Sequence, residues 1–202
     1  MREIKQPEVR KSEIVGAALK LFTENGYERT TVAAIIGELG VAKGCFYHHF
    51  RSKDEVFEAC VLSVSQQIAE TWLTGLQDRS RSPAARLMDF HDTYRELTNA
   101  TTSGLIADLY SRAFTDMHRR VTAQVAAAVL PALTALIDEG VQAGQFDVAD
   151  ARFTAVALLG ALQGLHEAYP GVGGLDPVAH RRKLVELFER LLDAEFPAEE
   201  KS

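Results

Sequence analysis

Apolar residues recur at spacings of three and four through almost every long stretch of this chain, and nowhere do they alternate with polar residues over the length of a strand. Only helices that turn one stripe inward satisfy a period near 3.6, so the expected fold class is all-α. At 202 residues, 47% of them hydrophobic, the chain is long enough to bury one core or two small ones.

Short polar residues and glycines punctuate the helices. The first is expected from Pro7 to Asn25, with Ile14, Ala18, Leu21 and Phe22 on one stripe and Gly26 where a left-handed cap is wanted. Thr31 caps a short second helix ending at Leu39 before Gly40, and a third runs from about Ala42 through Phe50. The run Ser52-Lys53-Asp54-Glu55 is a capping box, in which the serine oxygen accepts from an orphan N–H while the glutamate reaches back. The fourth helix that it opens carries Val56, Phe57, Cys60 and Val64 and continues past Trp72 to Leu76. A Ser- and Arg-rich linker over 77–83 is followed by helices expected over 84–99, 103–114, 116–143, 150–168 and 177–194, with Pro131 kinking the longest. Residues 170–174 read as a loop, and 197–202 as a frayed tail.

The net charge of −6 speaks against a nucleic-acid partner only until its distribution is counted. Residues 1–53 hold nine Lys or Arg against six Glu, a balance of +3, which leaves −9 for the remainder. Screening confines each field to roughly 8 Å at physiological salt, so a basic head on an acidic body still attracts phosphate locally. Cys45 and Cys60 stand fifteen positions apart, which fits neither a disulfide framework nor a metal site with close-spaced ligand pairs. No metal and no cofactor is expected. Neither a charged-then-apolar leader nor a run of eighteen apolar residues is visible, so a cytoplasmic location without membrane contact is expected.

Two short helices joined by a Gly-containing turn and packed on a preceding helix describe a helix-turn-helix, whose second helix enters the major groove of DNA. Ile35, Leu39, Val41 and Phe46 have the spacing to form its core, leaving Lys43, Gly44, Cys45, Tyr47, His48 and His49 outward or beside the groove. The chemistry suits the partner. Lys43 and Lys53 offer ammonium groups to phosphates, Tyr47 a hydroxyl, and His48 and His49 donors to phosphates or base edges, while Gly44 permits close approach. The helix start at Ser52 adds free N–H groups and a positive dipole end beside Lys53.

Gly26-Tyr27, Thr30-Thr31-Val32, Leu39-Gly40-Val41, Lys43-Gly44, Phe46-Tyr47-His48-His49-Phe50 and Ser52-Lys53, taken together, resemble the DNA-binding signature of the TetR-type repressors. The resemblance covers about Ser12 to Val61, and beyond it only length and helical character agree. It implies that the motif spans Thr31 to Phe50 and starts at Thr31, and that Lys43, Gly44, Tyr47, His48, His49 and Lys53 lie at DNA-contacting positions. It further implies a three-helix DNA-binding domain over 1–53, followed over 54–202 by a larger helical effector-binding and dimerisation domain, in a repressor released from its operator by a small molecule. Three residues depart from the pattern. Ala42 replaces a common capping serine, at about 1 kcal/mol if nothing else caps. Cys45 replaces a threonine or serine that often contacts DNA, and Ala33 a longer polar side chain.

A dimeric reader must hold two recognition helices about 34–36 Å apart to meet successive grooves of a palindromic operator. The small residues Ala157, Gly160, Ala161 and Gly164 and the apolar stripe Leu184, Leu187, Phe188 and Leu191 are the expected homodimer seam, a four-helix interface. Trp72, Phe90, His91, Tyr94, Tyr110, Phe114, Met117, His118 and His166 mix aromatic and polar groups in the manner of a largely apolar effector pocket. An enzyme is not expected, because no metal-binding His pair, phosphate loop or nucleophile turn is present. A helical adaptor is distinguished by exposure: a DNA reader leaves Lys43, Tyr47, His48 and Lys53 at the surface, whereas an adaptor is free to bury the aromatic ring.

Overall fold

The computed structural model describes residues 6–100, 105, 108, 114–168 and 177–196, the side chains of 94–100, 166, 167, 177, 178 and 180 excepted. Among these the chain forms eight helices and no strand: α1 (Pro7–Asn25), α2 (Val32–Leu39), α3 (Lys43–His49), α4 (Lys53–Gln77), α5 (Pro83–Ala100), α6 (Thr115–Gln142), α7 (Ala151–Ala168) and α8 (Pro177–Leu192). The helix expected over 103–114 lies almost wholly outside the described residues. Pro131 sits on the exposed side of α6, which runs through it as one helix.

The caps explain the boundaries. Thr31 Oγ1 accepts the Ala34 N–H at 3.1 Å, satisfying one of the orphan donors that begin α2. Gly40, at a φ of 62° that a side chain disfavours, ends it by turning its N–H back to the carbonyls of Gly37 and Ile36. Ser52 Oγ accepts the Glu55 N–H at 3.1 Å, as the capping box requires, but the Glu55 carboxylate closes one residue earlier than the motif has it, on the Arg51 N–H at 2.6 Å.

Two compact units result. The first comprises residues 1–67 and 98–122, and the second 68–97 and 123–202. The first unit thus takes more of the chain than residues 1–53, because Val56, Phe57, Cys60 and Val61 of α4 close its core together with Leu105, Met117 and Val121. Ile14, Ala18 and Phe22 of α1 enter that core one turn apart, and Ile35 and Phe46 bring in α2 and α3. Cys60 is buried there, its Sγ against the Val15 carbonyl at 3.4 Å, and burial pushes its thiol up to about 12.

The second unit is built on Trp72 and Leu76, Leu87 and Phe90, Val129, Leu133, Leu136 and Ile137, with Leu158, Phe188 and Leu192 from the last two helices. Arg86 is buried within it and spends its charge internally: Nε and Nη2 donate to the Leu76 carbonyl near the end of α4, and Nη1 pairs with Glu139 at 3.0 Å. By length and composition α6 is apolar enough to cross a membrane, and its Val129, Leu133, Leu136 and Ile137 are buried in this core.

Candidate nucleic-acid interface

Phe46 and Phe50 lie one turn apart and are both buried, which fixes the rotation of α3 and turns its other face outward. Lys43, Gly44, Tyr47 and His48 stand on that face, and Cys45 and His49 flank it half-buried. Tyr47 keeps 47% of its surface exposed although it touches Phe46 edge-on at 5.4 Å. Lys43 Nζ rests 5.8 Å from the Tyr47 ring centre, so the first turn of α3 presents a cation and a phenol side by side. Ala42 supplies no side-chain cap, and the Cys45 N–H closes on the Ala42 carbonyl at 2.8 Å.

At the other end of α3, the His48 and His49 rings meet edge to face at 4.9 Å. Burial, and then the neighbouring His48, hold the His49 imidazole below its ordinary value. Lys11 of α1 lies 5.9 Å from the Phe50 ring and, with Arg10, is among the charges that His49 feels. Sequence reading passed over this contribution of α1 to the basic face. The two cations were legible at i and i+1 near the start of an expected helix, but their proximity to α3 was not.

Lys53 is placed differently from Lys43. It is half-buried, its Nζ donates to the Tyr27 carbonyl at 2.9 Å, and the ammonium lies 3.8 Å from the Tyr27 ring centre. Tyr27 is itself gripped on several sides. Its N–H donates to Asp108 Oδ2 at 2.6 Å, its hydroxyl donates to the Asp54 carboxylate, and its ring stands edge-on to Phe57 and Phe114 at 4.9 and 4.8 Å. Burial, then Asp54, push the phenol well above its usual range, so it remains a donor. Thr31, expected at the DNA surface, is exposed and gives its oxygen to the cap of α2.

The residues expected to line an effector pocket divide between the two cores. Trp72, Phe90 and His91 come together in the second unit, where Trp72 meets Phe90 at 5.0 Å and His91 lies against Phe188 at 6.4 Å. Next to them His91 Nδ1 stands 3.1 Å from Asp92, which also receives Arg181 at 3.2 Å. Burial drives the Asp92 carboxyl up, but the bonds from His91 and Arg181 outweigh it and hold it below the ordinary range. Phe114 and Met117 belong instead to the core of the first unit, and His118 is half-buried beside Met117 in sequence. The side chains of Tyr94, Tyr110 and His166 lie outside the described residues.

The residues of the expected dimer seam differ in burial. Leu184 and Phe188 are buried inside the protomer, Phe188 within the core of the second unit. Leu187 and Leu191 are half-buried. On α7 the small residues Ala157, Gly160, Ala161 and Gly164 stand half-buried or exposed, joined by two residues that sequence reading left out: Phe153 at 73% and Val156 at 51% exposure. Their spacing of three to four puts them on the same face as Gly160, a periodic signal present in the sequence.

The family model described as bacterial regulatory proteins of the tetR family matches residues 14–60, and that of the tetracyclin repressor-like C-terminal domain matches 80–192. The transcriptional repressor KstR2 of Mycolicibacterium smegmatis is 31% identical over 86 residues, 41% of this chain and 40% of its own. Stretches shared with such curated relatives span 24% to 40% of the relatives' length. Among solved structures, a TetR/AcrR-family transcriptional regulator of Thermobifida fusca has the same fold at a TM-score of 0.67 and 22% identity, covering 94% of this chain and 100% of that one. The regulator FadR of Bacillus subtilis, solved with stearoyl-CoA, follows at 0.63 and 19%, covering 90% and 97%.

Proposed function

The chain belongs to the TetR family of bacterial regulatory proteins, and from that premise we propose that it is a sequence-specific DNA-binding transcriptional regulator, a repressor that leaves a palindromic operator when a small-molecule effector binds. Residues 1–53 act as the reader and 54–202 as the effector-binding and dimerising body of a cytoplasmic regulator that is not an enzyme. The observation that carries this reading is the outward face of α3, where Lys43, Tyr47 and His48 are exposed around a closed core. An adaptor would gain nothing by leaving a phenol half in water beside an ammonium. A DNA reader needs both at the surface.

The homodimer forms through α7 and α8, with Phe153, Val156, Gly160 and Gly164 as its apolar centre. The effector is largely apolar and binds around Trp72, Phe90 and His91, where aromatic walls adjoin the polar group of Asp92 and Arg181. The stearoyl-CoA held by the B. subtilis FadR structure makes long-chain acyl-CoA the first effector to screen. Because α4 carries residues of both compact units in one helix, it is the lever through which an effector's differential affinity for two conformations alters DNA affinity.

The test is fluorescence anisotropy of the full chain on duplex from its own upstream intergenic region at several salt concentrations, beside a Lys43→Ala, Tyr47→Ala double variant. Binding that weakens steeply with salt and collapses in the variant is expected. If neither this duplex nor any fragment from a genome-wide selection binds more tightly than random DNA, the reading is wrong.

A further inference from the structure

Lys43 and Lys53 are the two lysines of the expected DNA-contacting set, but the fold treats them differently. Lys43 rests beside one exposed ring on its own helix. Lys53 is fixed by a residue 26 positions away, whose carbonyl takes one of the ammonium donors and whose ring lies beneath the charge. An ammonium has three donors and no acceptor. With one spent on the Tyr27 carbonyl and the ring against the cation, two donors remain on an ammonium whose position is already restrained. A free surface lysine loses rotamer freedom when it is immobilised on a phosphate. Lys53 has surrendered part of that freedom before DNA arrives.

Tyr27 does not hold this position by itself. The backbone N–H on one side of Tyr27 donates to the Asp108 carboxylate, and the carbonyl on its other side accepts from Lys53. Asp108 falls within residues 98–122, which belong to the first unit, while 68–97 and 123–202 belong to the second. Asp108, Tyr27 and Lys53 therefore form a continuous line of two hydrogen bonds through a single residue, ending at a cation next to α3. No part of the line passes through α3 itself.

We propose that Tyr27 and Asp108 are positioning residues for a phosphate contact made by Lys53. The inference rests on the DNA-reading function proposed above. In it, the stretch bearing Asp108 sets how ready Lys53 is for phosphate, so a displacement of Asp108 weakens DNA binding at the backbone and leaves the base-facing residues of α3 untouched.

The experiment measures the salt dependence of affinity for the full-length protein, with a duplex that the wild type has selected from a random-sequence pool. Each phosphate contact contributes about 0.9 to the slope of log K against log salt. Lys53→Met is expected to lower the slope by that amount per protomer. Asp108→Ala is expected to lower it in the same direction and to weaken binding severalfold at low salt, and to add nothing in the Lys53→Met background. Asp108→Asn keeps an acceptor oxygen and is expected to restore the slope. Should Asp108→Ala fail to fold, Tyr27→Leu asks the same question, because it keeps both backbone groups and removes the ring under Lys53. A wild-type slope in Asp108→Ala or Tyr27→Leu, or full additivity with Lys53→Met, overturns the positioning role. An unchanged slope in Lys53→Met overturns the phosphate contact and makes Lys53 a structural clamp. A wild type that selects no duplex at all overturns the DNA-reading function, and this inference with it.

Discussion

In the first compact unit the charged and aromatic groups of interest stand outside a closed core of Phe22, Phe46 and Phe57, whereas in the second the charges of Arg86, Asp92 and Arg181 are drawn inward and the outward face of α7 is apolar. The contrast follows from what each unit must meet. Phosphates and base edges are polar partners that approach from water, so the reader needs a rigid body with its donors outside. An apolar effector and a second protomer are met through buried surface, so the body keeps its directional groups inside and leaves hydrophobic side chains uncovered. Helical glycines make the same distinction. A Cβ on Gly44 in α3, or on Gly160 in α7, meets nothing within 4 Å, whereas one on Gly140 in α6 lands inside the Phe146 ring.

The largest test compares the cores. Phe57→Ala in the first unit and Leu133→Ala in the second are expected to cost about 3–5 and about 2–5 kcal/mol by denaturant titration, because both side chains are fully buried. Only the first should also remove DNA binding from the molecules that stay folded. Equal loss in both would erase the division of labour.

Arg86→Ala comes next. It leaves the Leu76 carbonyl without its charged donor, and a lost bond to a charged group costs about 1.5–3 kcal/mol. Glu139 is partly exposed, so its share is small. A melting temperature within 1–2 °C of wild type, roughly the shift below 1 kcal/mol, would show that the inward charge is incidental.

The glycine contrast gives a signed pair. Ala exceeds Gly in helix propensity by about 1 kcal/mol, so Gly44→Ala should stabilise the protein by about that amount while weakening DNA binding. In Gly140→Ala the same gain is outweighed by overpacking against Phe146, which costs about 1–3 kcal/mol. Stabilisation by both substitutions would contradict the packing around Phe146.

The smallest effect concerns pH. Burial and the neighbouring His48 hold the His49 ring below its ordinary value in the free protein, which disfavours its charged form. A phosphate beside it favours the protonated ring, DNA binding then takes up a proton, and affinity should rise as pH falls from 7.5 to 6. The rise should stay under about tenfold, the span of one pKa unit, and vanish in His48→Gln, His49→Gln. Affinity that is flat with pH in the wild type would place these rings away from phosphate.

The helices of the reader were legible because their signals are local. Thr31 and Gly40 bracket α2, Ser52 opens α4, and Ile14, Ala18 and Phe22 mark a stripe within a single helix, so neighbours in sequence suffice to decide them. The outward set on α3 followed from the same logic, since burial of Phe46 and Phe50 one turn apart fixes where Lys43 and Tyr47 point. Tertiary structure decided everything that depended on distant partners. An amphipathic pattern says that Leu184 and Phe188 share a face, but not whether that face meets its own protomer or another. The fold buries both within the protomer, Phe188 in the core of the second unit, and leaves Phe153 and Val156 outside. Nothing near Tyr27 in sequence announces Asp108, 81 residues away. A hydrogen bond of 2.6 Å is a fact about where two stretches of chain come to rest, and its donor and acceptor leave no periodic trace in either.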